Sequence, residues 1–429
     1  MKNFKFLPLS LAVATSLASG AAFASDAEIS ELEQRIAELE KAVVTLDYTD
    51  DQQQSVLTPD TEVPLGIIFS GYARYGAHYA AGDSAYVGIG STGAAVGRLG
   101  NEANGGEFQF GKIFQSESGA KWNLAVMLDH WASSNWGSTD GVNLKKFYAG
   151  VTNVFESQPE LYIWAGRDFH QRPQQGLNDY FWMSHDGQGA GFNNFDFGGA
   201  KFDLAVVGQV ASNDGGNSAL GNDNGRYAVT SKLHGINAGI GNLDLYANYG
   251  FASDEADADV QDETAWLVGA TLGLGSDHRI VMKYGDGADN AAFDLAGDKQ
   301  VFYVSLEGGF NPADQWYIDY LTSYKDISGD DVSNESSEYS AIVRPMYNWD
   351  DTHSTWLEAG LAQVDYEDDS KQQAWKVTLS QNISLGGLPW SRPMLRFYTT
   401  VGDVETKGTG VETTNVDTVS FGAMFEAWW

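Results

Sequence analysis

From about Ile67 to the C-terminal Trp429 the chain alternates apolar and polar residues with period two, interrupted by clusters of Gly, Asp, Asn and Ser, and no ten-residue stretch carries a helical period. That pattern predicts an all-β chain, because only a pleated strand turns successive side chains to opposite faces. The closing stretch shows it most plainly. In Phe421 to Trp429 one face holds Phe421, Ala423, Phe425, Ala427 and Trp429, and the other Gly422, Met424, Glu426 and Trp428. Phe69 to Tyr79 repeats the split, with Phe69, Tyr75 and Tyr79 opposite Tyr72, Arg74 and His78. So do Trp122, Leu124, Val126 and Leu128 against Asn123, Ala125, Met127 and Asp129, while Phe108 and Phe110 lie between Glu107, Gln109 and Gly111.

Alternation alone does not separate a soluble sandwich from a membrane barrel, since both have one apolar face. Composition tips the balance. The chain carries 20 Tyr, 22 Phe, 13 Trp and 49 Gly in 429 residues, which suits short turns and the aromatic girdles of a membrane barrel. With 58 acidic against 25 basic residues its formal charge is -33, which repels phosphate backbones and excludes a nucleic-acid partner. It has no Cys, so no disulfide framework exists.

The N-terminal part reads differently. Residues 1–24 join Lys2 and Lys5 to an apolar run that ends in Ala22-Phe23-Ala24, the pattern of a cleaved secretory signal rather than a membrane anchor. In residues 25–46, Ile29, Leu32, Ile36, Leu39, Val43 and Leu46 follow spacings of 3, 4, 3, 4 and 3, an a/d seam flanked by Glu, Lys and Arg. A helix this short does not bury such a stripe alone, which predicts a short periplasmic coiled coil; a helix lying on the barrel, or a frayed tail, is the alternative. Residues 47–66 read as a flexible linker and 67–429 as the barrel domain.

In a membrane barrel the apolar row faces lipid, where a charged residue near the midplane costs about 2 to 4 kcal/mol, so Arg74, Glu107 and Glu426 belong to the lumen. Tyr72 and Trp428 share those faces. Large aromatics beside water need a purpose, and stacking on the apolar faces of sugar rings supplies one. The acidic clusters Asp254 to Glu263, Asp326 to Glu338 and Asp365 to Asp369 are expected as solvated loops, with nothing in their spacing that demands a metal or other cofactor.

The residues here reach a family: the chain resembles the maltoporins, the carbohydrate-selective porins. The matching stretches run in family order: Phe69-Ser-Gly-Tyr-Ala-Arg74, Gly97-Arg-Leu-Gly-Asn-Glu102, Ile163-Trp-Ala-Gly-Arg167 through Gln171-Arg172 and Asn178-Asp-Tyr-Phe-Trp182 to Gly189-Ala-Gly191, Arg344-Pro-Met-Tyr-Asn-Trp349, Trp390-Ser-Arg-Pro393 and the Phe421 to Trp429 ending. The resemblance implies a homotrimer of eighteen-stranded antiparallel barrels in the outer membrane, set among lipid and lipopolysaccharide, each pore narrowed by an inward third loop. Its function would be facilitated diffusion of maltose and maltodextrins. The heptads also resemble the extension of the sucrose and β-glucoside members, which leaves those sugars, or a general porin, as alternatives. The span from Ile67 allows roughly 20 residues for each strand and its connection, enough for eighteen.

The resemblance further implies an aromatic lane of Tyr72, Trp136, Trp390 and Trp428, with Trp136 contributed by a neighbouring subunit, and a polar track of Arg74, Arg98, Glu107, Arg172 and Asp179, with Phe181 at the constriction. Parity places Trp390 with Arg392 and Arg396. A family arginine is Lys145 here, yet Lys146 has the lumen parity, and a β-bulge would reconcile them. Three departures bear on specificity. The aromatic expected just before Glu107 is replaced by Gly105 and Gly106, a second lane position near Ile280 has no aromatic in register, and Phe181, Gln174 and Gly176 stand for a tyrosine, an acid and a histidine. Gly88-Ile-Gly90-Ser-Thr-Gly93 fits a dinucleotide fingerprint but lacks the following helix, so it reads as a turn. Glu107 with Asp179 as a glycosidase pair is a weaker reading than two carboxylates facing arginines.

Overall fold

A computed structural model describes residues 56–132, 141–210, 223–275, 277–330, 335–408 and 411–429. The signal sequence, the heptad segment and Trp136 lie outside the described residues. In chain order the strands are β1 (Ile68–Ala80), β2 (Asn104–Gln115), β3 (Lys121–Ala132), β4 (Asn143–Thr152), β5 (Tyr162–Asp168), β6 (Gln174–Gln175), β7 (Tyr180–Phe181), β8 (Gly187–Asp196), β9 (Lys201–Val210) and β10 (Asp223–Asn237). They continue with β11 (Gly241–Ala252), β12 (Thr264–Leu274), β13 (His278–Asp286), β14 (Gln300–Ala313), β15 (Trp316–Ser328), β16 (Ser336–Asn348), β17 (His353–Tyr366), β18 (Lys371–Ser384), β19 (Met394–Gly408) and β20 (Val411–Trp428).

Eighteen of these form one antiparallel sheet, and β6 with β7 makes a separate small hairpin. Each barrel strand pairs with its sequence neighbours, and β1 pairs with β20 as well as β2, from Tyr72 opposite Trp428 to Ala80 opposite Ser420. The sheet is closed and leaves no edge to satisfy in lipid. Short connections such as 238–240 and 314–315 lie at one end, the turn end, and the longest, 81–103, 169–186 and 287–299, at the other, the loop end. In barrels of this type the short turns are periplasmic.

The pleat sorts side chains as the alternation predicts. Phe421, Phe425, Phe110, Leu124 and Phe397 are exposed on the outer wall, while Glu426, Glu107, Asp129 and Arg396 are buried toward the lumen. At the seam, Trp429 lies outside, with its ring centroid 5.4 Å from Phe69 and 5.9 Å from Phe108. Gly71 is required there, because a Cβ would stand 2.8 Å from the Trp429 ring and 2.4 Å from the Glu107 carbonyl.

The stretch expected as a linker is described from Val56, and Leu57 is buried in the core cluster that contains Ile113 and Tyr162. The Lys121 ammonium donates to the Thr61 carbonyl and Lys112 to those of Pro64, Leu65 and Gly66, so the segment crosses the rim at the turn end.

Two sequence expectations need correction. Glu338 is no solvated loop residue: it belongs to β16, is buried, and accepts from the Ser91 backbone N–H and hydroxyl at 2.8 and 2.9 Å. Asp326 likewise belongs to β15 and accepts from Tyr324 and Ser337. Glu338 meets polar surroundings in the lumen, whereas Asp326 shares the outward face of its strand with Tyr324, opposite buried Lys325.

Candidate functional site

Three long connections turn inward and fill much of the lumen. The β1–β2 connection, residues 81–103, sends Val87, Ile89, Val96 and Leu99 into the barrel, where Val87 and Val96 pack near Val364 and Ala374, and Leu99 near Trp356 and Met394. The Gly88–Gly93 run expected as a turn is part of this inward loop; Gly93 at φ 67 passes so close that a Cβ would stand 2.4 Å from the Asn178 carbonyl. Glu358 of β17 holds this loop through the Leu99 N–H at 2.9 Å and is itself paired with Arg344 at 2.5 Å and Lys376 at 3.1 Å.

The β5–β8 connection, residues 169–186, crosses the lumen and carries the β6–β7 hairpin. Its Leu177 reaches Leu321 and Ile342 on the far wall, and its backbone receives the Ala94 and Arg98 N–H groups at Asn178 O and Leu177 O, 2.6 and 2.9 Å. The β13–β14 connection, residues 287–299, supports it from behind: Tyr180 donates to Asn290 at 3.1 Å, and the Ala292 N–H to His185 Nε2 at 2.9 Å. Asp289 binds Lys283, Lys299 and Lys325 at 3.2, 3.3 and 3.0 Å. Burial pushes its carboxyl up, but the three ammonium groups outweigh that and hold it below the usual carboxylate range.

The expected track residues meet in this narrowed region, mostly bound to one another. Arg74 donates to Asp179 at 2.8 Å, to the Ala103 carbonyl and to the Tyr72 hydroxyl. Burial raises the Asp179 carboxyl, yet Arg74 and Arg98 bring it below the ordinary range. Gln174, which stands for a family acid, donates to the same carboxylate. Arg98 pairs with Glu426 at 3.0 Å, and Glu426 also takes Arg392 at 2.5 Å, Arg396 at 3.1 Å and the Tyr72 hydroxyl at 2.9 Å. Arg172 lies between Phe169 and Phe181, 4.0 Å from each ring centroid, and pairs with Asp186 at 3.2 Å. Phe181 thus spends one face on Arg172. Glu107 is buried within the field of the Arg172 and Lys146 charges, and its Oε2 has no hydrogen-bond partner among the described residues.

The bulge that would reconcile Lys145 with Lys146 is present: the register slips between Met127 and Leu128 of β3, leaving Lys145 unpaired in the ladder. Both lysines reach inward, Lys145 to Asp129 at 3.5 Å and Lys146 to Asp168 at 3.3 Å.

Of the expected lane, Tyr72 and Trp428 stack, with centroids 6.5 Å apart and planes at 22°. Arg392 covers Trp428 at 4.1 Å. The parity argument for Trp390 does not hold, because β19 begins only at Met394 and Trp390 sits in the connection before it. It stands at the turn end, 48% exposed and edge-on to Tyr317 at 5.6 Å. Near Ile280 the lumen position is Arg279, paired with Glu307 at 2.5 Å, since Ile280 shares parity with the outward Met282. Sequence reading overlooked Trp131. Its parity with Asp129 and Met127 was the available signal, and its ring stacks on Tyr72 at 6.1 Å and 28°.

The chain matches the LamB porin family over residues 67–429. It is 29% identical over 415 residues to the maltoporin of Vibrio cholerae serotype O1 El Tor Inaba N16961, covering 85% of this chain and 95% of that relative. The maltoporin of the Classical Ogawa strain of the same species is also 29% identical, with 85% and 94% covered. Among solved structures, a Rhodopseudomonas blastica porin variant is 12% identical with TM-score 0.44, covering 84% of this chain and 100% of that one. The trimer form of OmpT, an outer membrane protein of Vibrio cholerae, is 11% identical with TM-score 0.39, covering 85% and 99%. With the family match spanning the whole closed barrel and its narrowed, aromatic-lined lumen, the chain belongs to the LamB porin family and is a sugar porin of the bacterial outer membrane.

Proposed function

We propose that this porin works as a homotrimer and passes maltose and maltodextrins by facilitated diffusion, with no covalent step. The observation that carries the reading is the near-parallel Tyr72–Trp428 stack set directly against Glu426, whose Oε1 is shared by the Tyr72 hydroxyl at 2.9 Å and Arg98 at 3.0 Å. A pyranose slides over the ring faces while its hydroxyls exchange for one of those two donors. Each exchange replaces a hydrogen bond of similar kind, so net binding is weak and release fast, as flux requires. Trp390 extends the apolar surface at the turn end, and the name maltoporin carried by the relatives supports the assignment to maltose and its oligomers. Asp179, held by Arg74 and Gln174, is committed to ion pairing, which favours transport over hydrolysis at Glu107 and Asp179.

The test is a panel of sugars titrated against reconstituted channels. Maltotriose and longer maltodextrins are expected to block ion current reversibly, and heat-modifiable trimers to appear on gels. Block by sucrose or a β-glucoside without block by maltodextrins overturns the maltodextrin assignment, and no block by any sugar overturns the sugar-selective reading.

A further inference from the structure

We propose that Trp131 carries the loop-end sugar position of the lane, on β3 instead of β2. The inference rests on the sugar-porin reading above. Gly105 of β2 pairs directly with Trp131 of β3. A Cβ at Gly105 would stand 2.7 Å from Trp131 Cε3 and 2.2 Å from the His130 carbonyl, and Gly105 has φ 154. A side chain on Gly105 and the Trp131 ring in its present place therefore exclude one another. The bare stretch of β2 is the condition under which its neighbour can lay an indole across it.

The ring that takes this space is oriented for a sugar. Trp131 is part-exposed on the lumen face that also carries Asp129 and Met127. Its plane lies 28° from that of Tyr72, and Tyr72 lies 22° from Trp428, so three rings descend the wall at centroid steps of 6.1 and 6.5 Å. Arg74 ties this lane to the polar track. Its guanidinium carbon lies 5.1 Å from the Trp131 centroid and 5.9 Å from that of Tyr72, while Nη2 reaches Asp179 at 2.8 Å. A pyranose on Trp131 meets ring carbons on one side and the Arg74–Asp179 pair at its hydroxyl edge, the combination found one step lower at Tyr72 and Glu426. Because β3 runs toward the loop end, this is the first of the three rings that a sugar from outside reaches. The ligand class is a hexopyranose unit of a neutral oligosaccharide.

The experiment compares Trp131→Ala, Trp131→Phe and Trp390→Ala with the parent trimer. Block is measured in single channels of known orientation, with the blocking sugar of the panel added to each side in turn. Loss of one stacking face is expected to weaken block by Trp131→Ala about two- to tenfold. The loss should appear chiefly as slower entry from the loop side, and Trp131→Phe should keep most of the parent affinity. Unchanged block in Trp131→Ala, with a blocked parent and a weakened Trp390→Ala, overturns the Trp131 position and leaves the sugar-porin reading intact. Equal losses in Ala and Phe, or equal slowing from both sides, also overturn it. A parent that no sugar blocks overturns the reading on which the position rests.

Discussion

The aromatic rings Trp131, Tyr72 and Trp428 lie on the lumen wall, on β3, β1 and β20, whereas the charged track ties that wall to the inward connections that carry Arg98, Arg172 and Asp179, and the two are held in different ways. The track is consumed by its own pairs: Glu426 serves Arg98, Arg392 and Arg396, Arg74 serves Asp179, and Arg172 is clamped between two phenylalanines. The rings Trp131, Tyr72, Trp428 and Trp390 are part-exposed or exposed: the first three stack in turn, with Arg74 over Trp131 and Arg392 over Trp428, and Trp390 stands edge-on to Tyr317. Charges inside a barrel must neutralise each other before they serve a ligand, because an uncompensated buried charge costs several kcal/mol. Apolar ring faces carry no such obligation. The track should therefore chiefly govern the shape of the pore, meeting a sugar only by exchange of hydrogen bonds, and the lane should supply the stacking surface.

The strongest challenge to this contrast is Glu426→Ala, which leaves Arg98, Arg392 and Arg396 without their shared partner. We expect a loss of about 3 to 5 kcal/mol in barrel stability, seen as a lower temperature for the heat-modifiability transition, together with a shift toward anion selectivity. An unaltered transition would show that the track is not structural. Glu358→Gln comes next. It removes the charge that pairs with Arg344 and Lys376 and weakens the tether on Leu99, so stability should fall by about 3 kcal/mol and sugar-free conductance should rise as the β1–β2 connection loosens.

Trp390→Ala tests the other half. Its ring is 48% exposed, so stability should hardly change, while sugar block weakens by about 0.5 to 1.5 kcal/mol, or roughly two- to twelvefold. A large stability loss without weaker block would dissolve the distinction between lane and track.

The smallest effect concerns pH. His185 accepts the Ala292 N–H at Nε2 and so is neutral; burial, His170 and Lys283 all lower its pKa. A group with a lowered folded pKa contributes fully above its unfolded value, about 6.5, and loses that contribution as pH falls below it. Current noise from the β5–β8 connection should grow gradually under acid, and His185→Phe should flatten that dependence.

Much of the barrel was legible because the pleat is local. Once Glu426 is placed inside, Trp428 must follow it and Trp429 must face out, as the seam confirms. Even Trp131 was readable from its parity with Asp129. Parity failed where the strand was not continuous. Trp390 precedes β19, and Lys145 needs the bulge that its clash of parity with Lys146 called for. Glu338 is expected as a solvated loop residue, because a polar segment looks alike whether it meets bulk water or a lumen.

Alternation, carried in every pair of neighbouring residues, determined by itself that this chain is all-β with one apolar and one mixed face on each strand, and the tyrosine and tryptophan content turned the apolar face toward lipid. Only the closed structure decided which charges pair, where the three connections enter, and that an indole from β3 covers a glycine of β2. Those contacts join residues such as Arg98 and Glu426 across hundreds of positions, and their distances exist only after the ring of strands has closed.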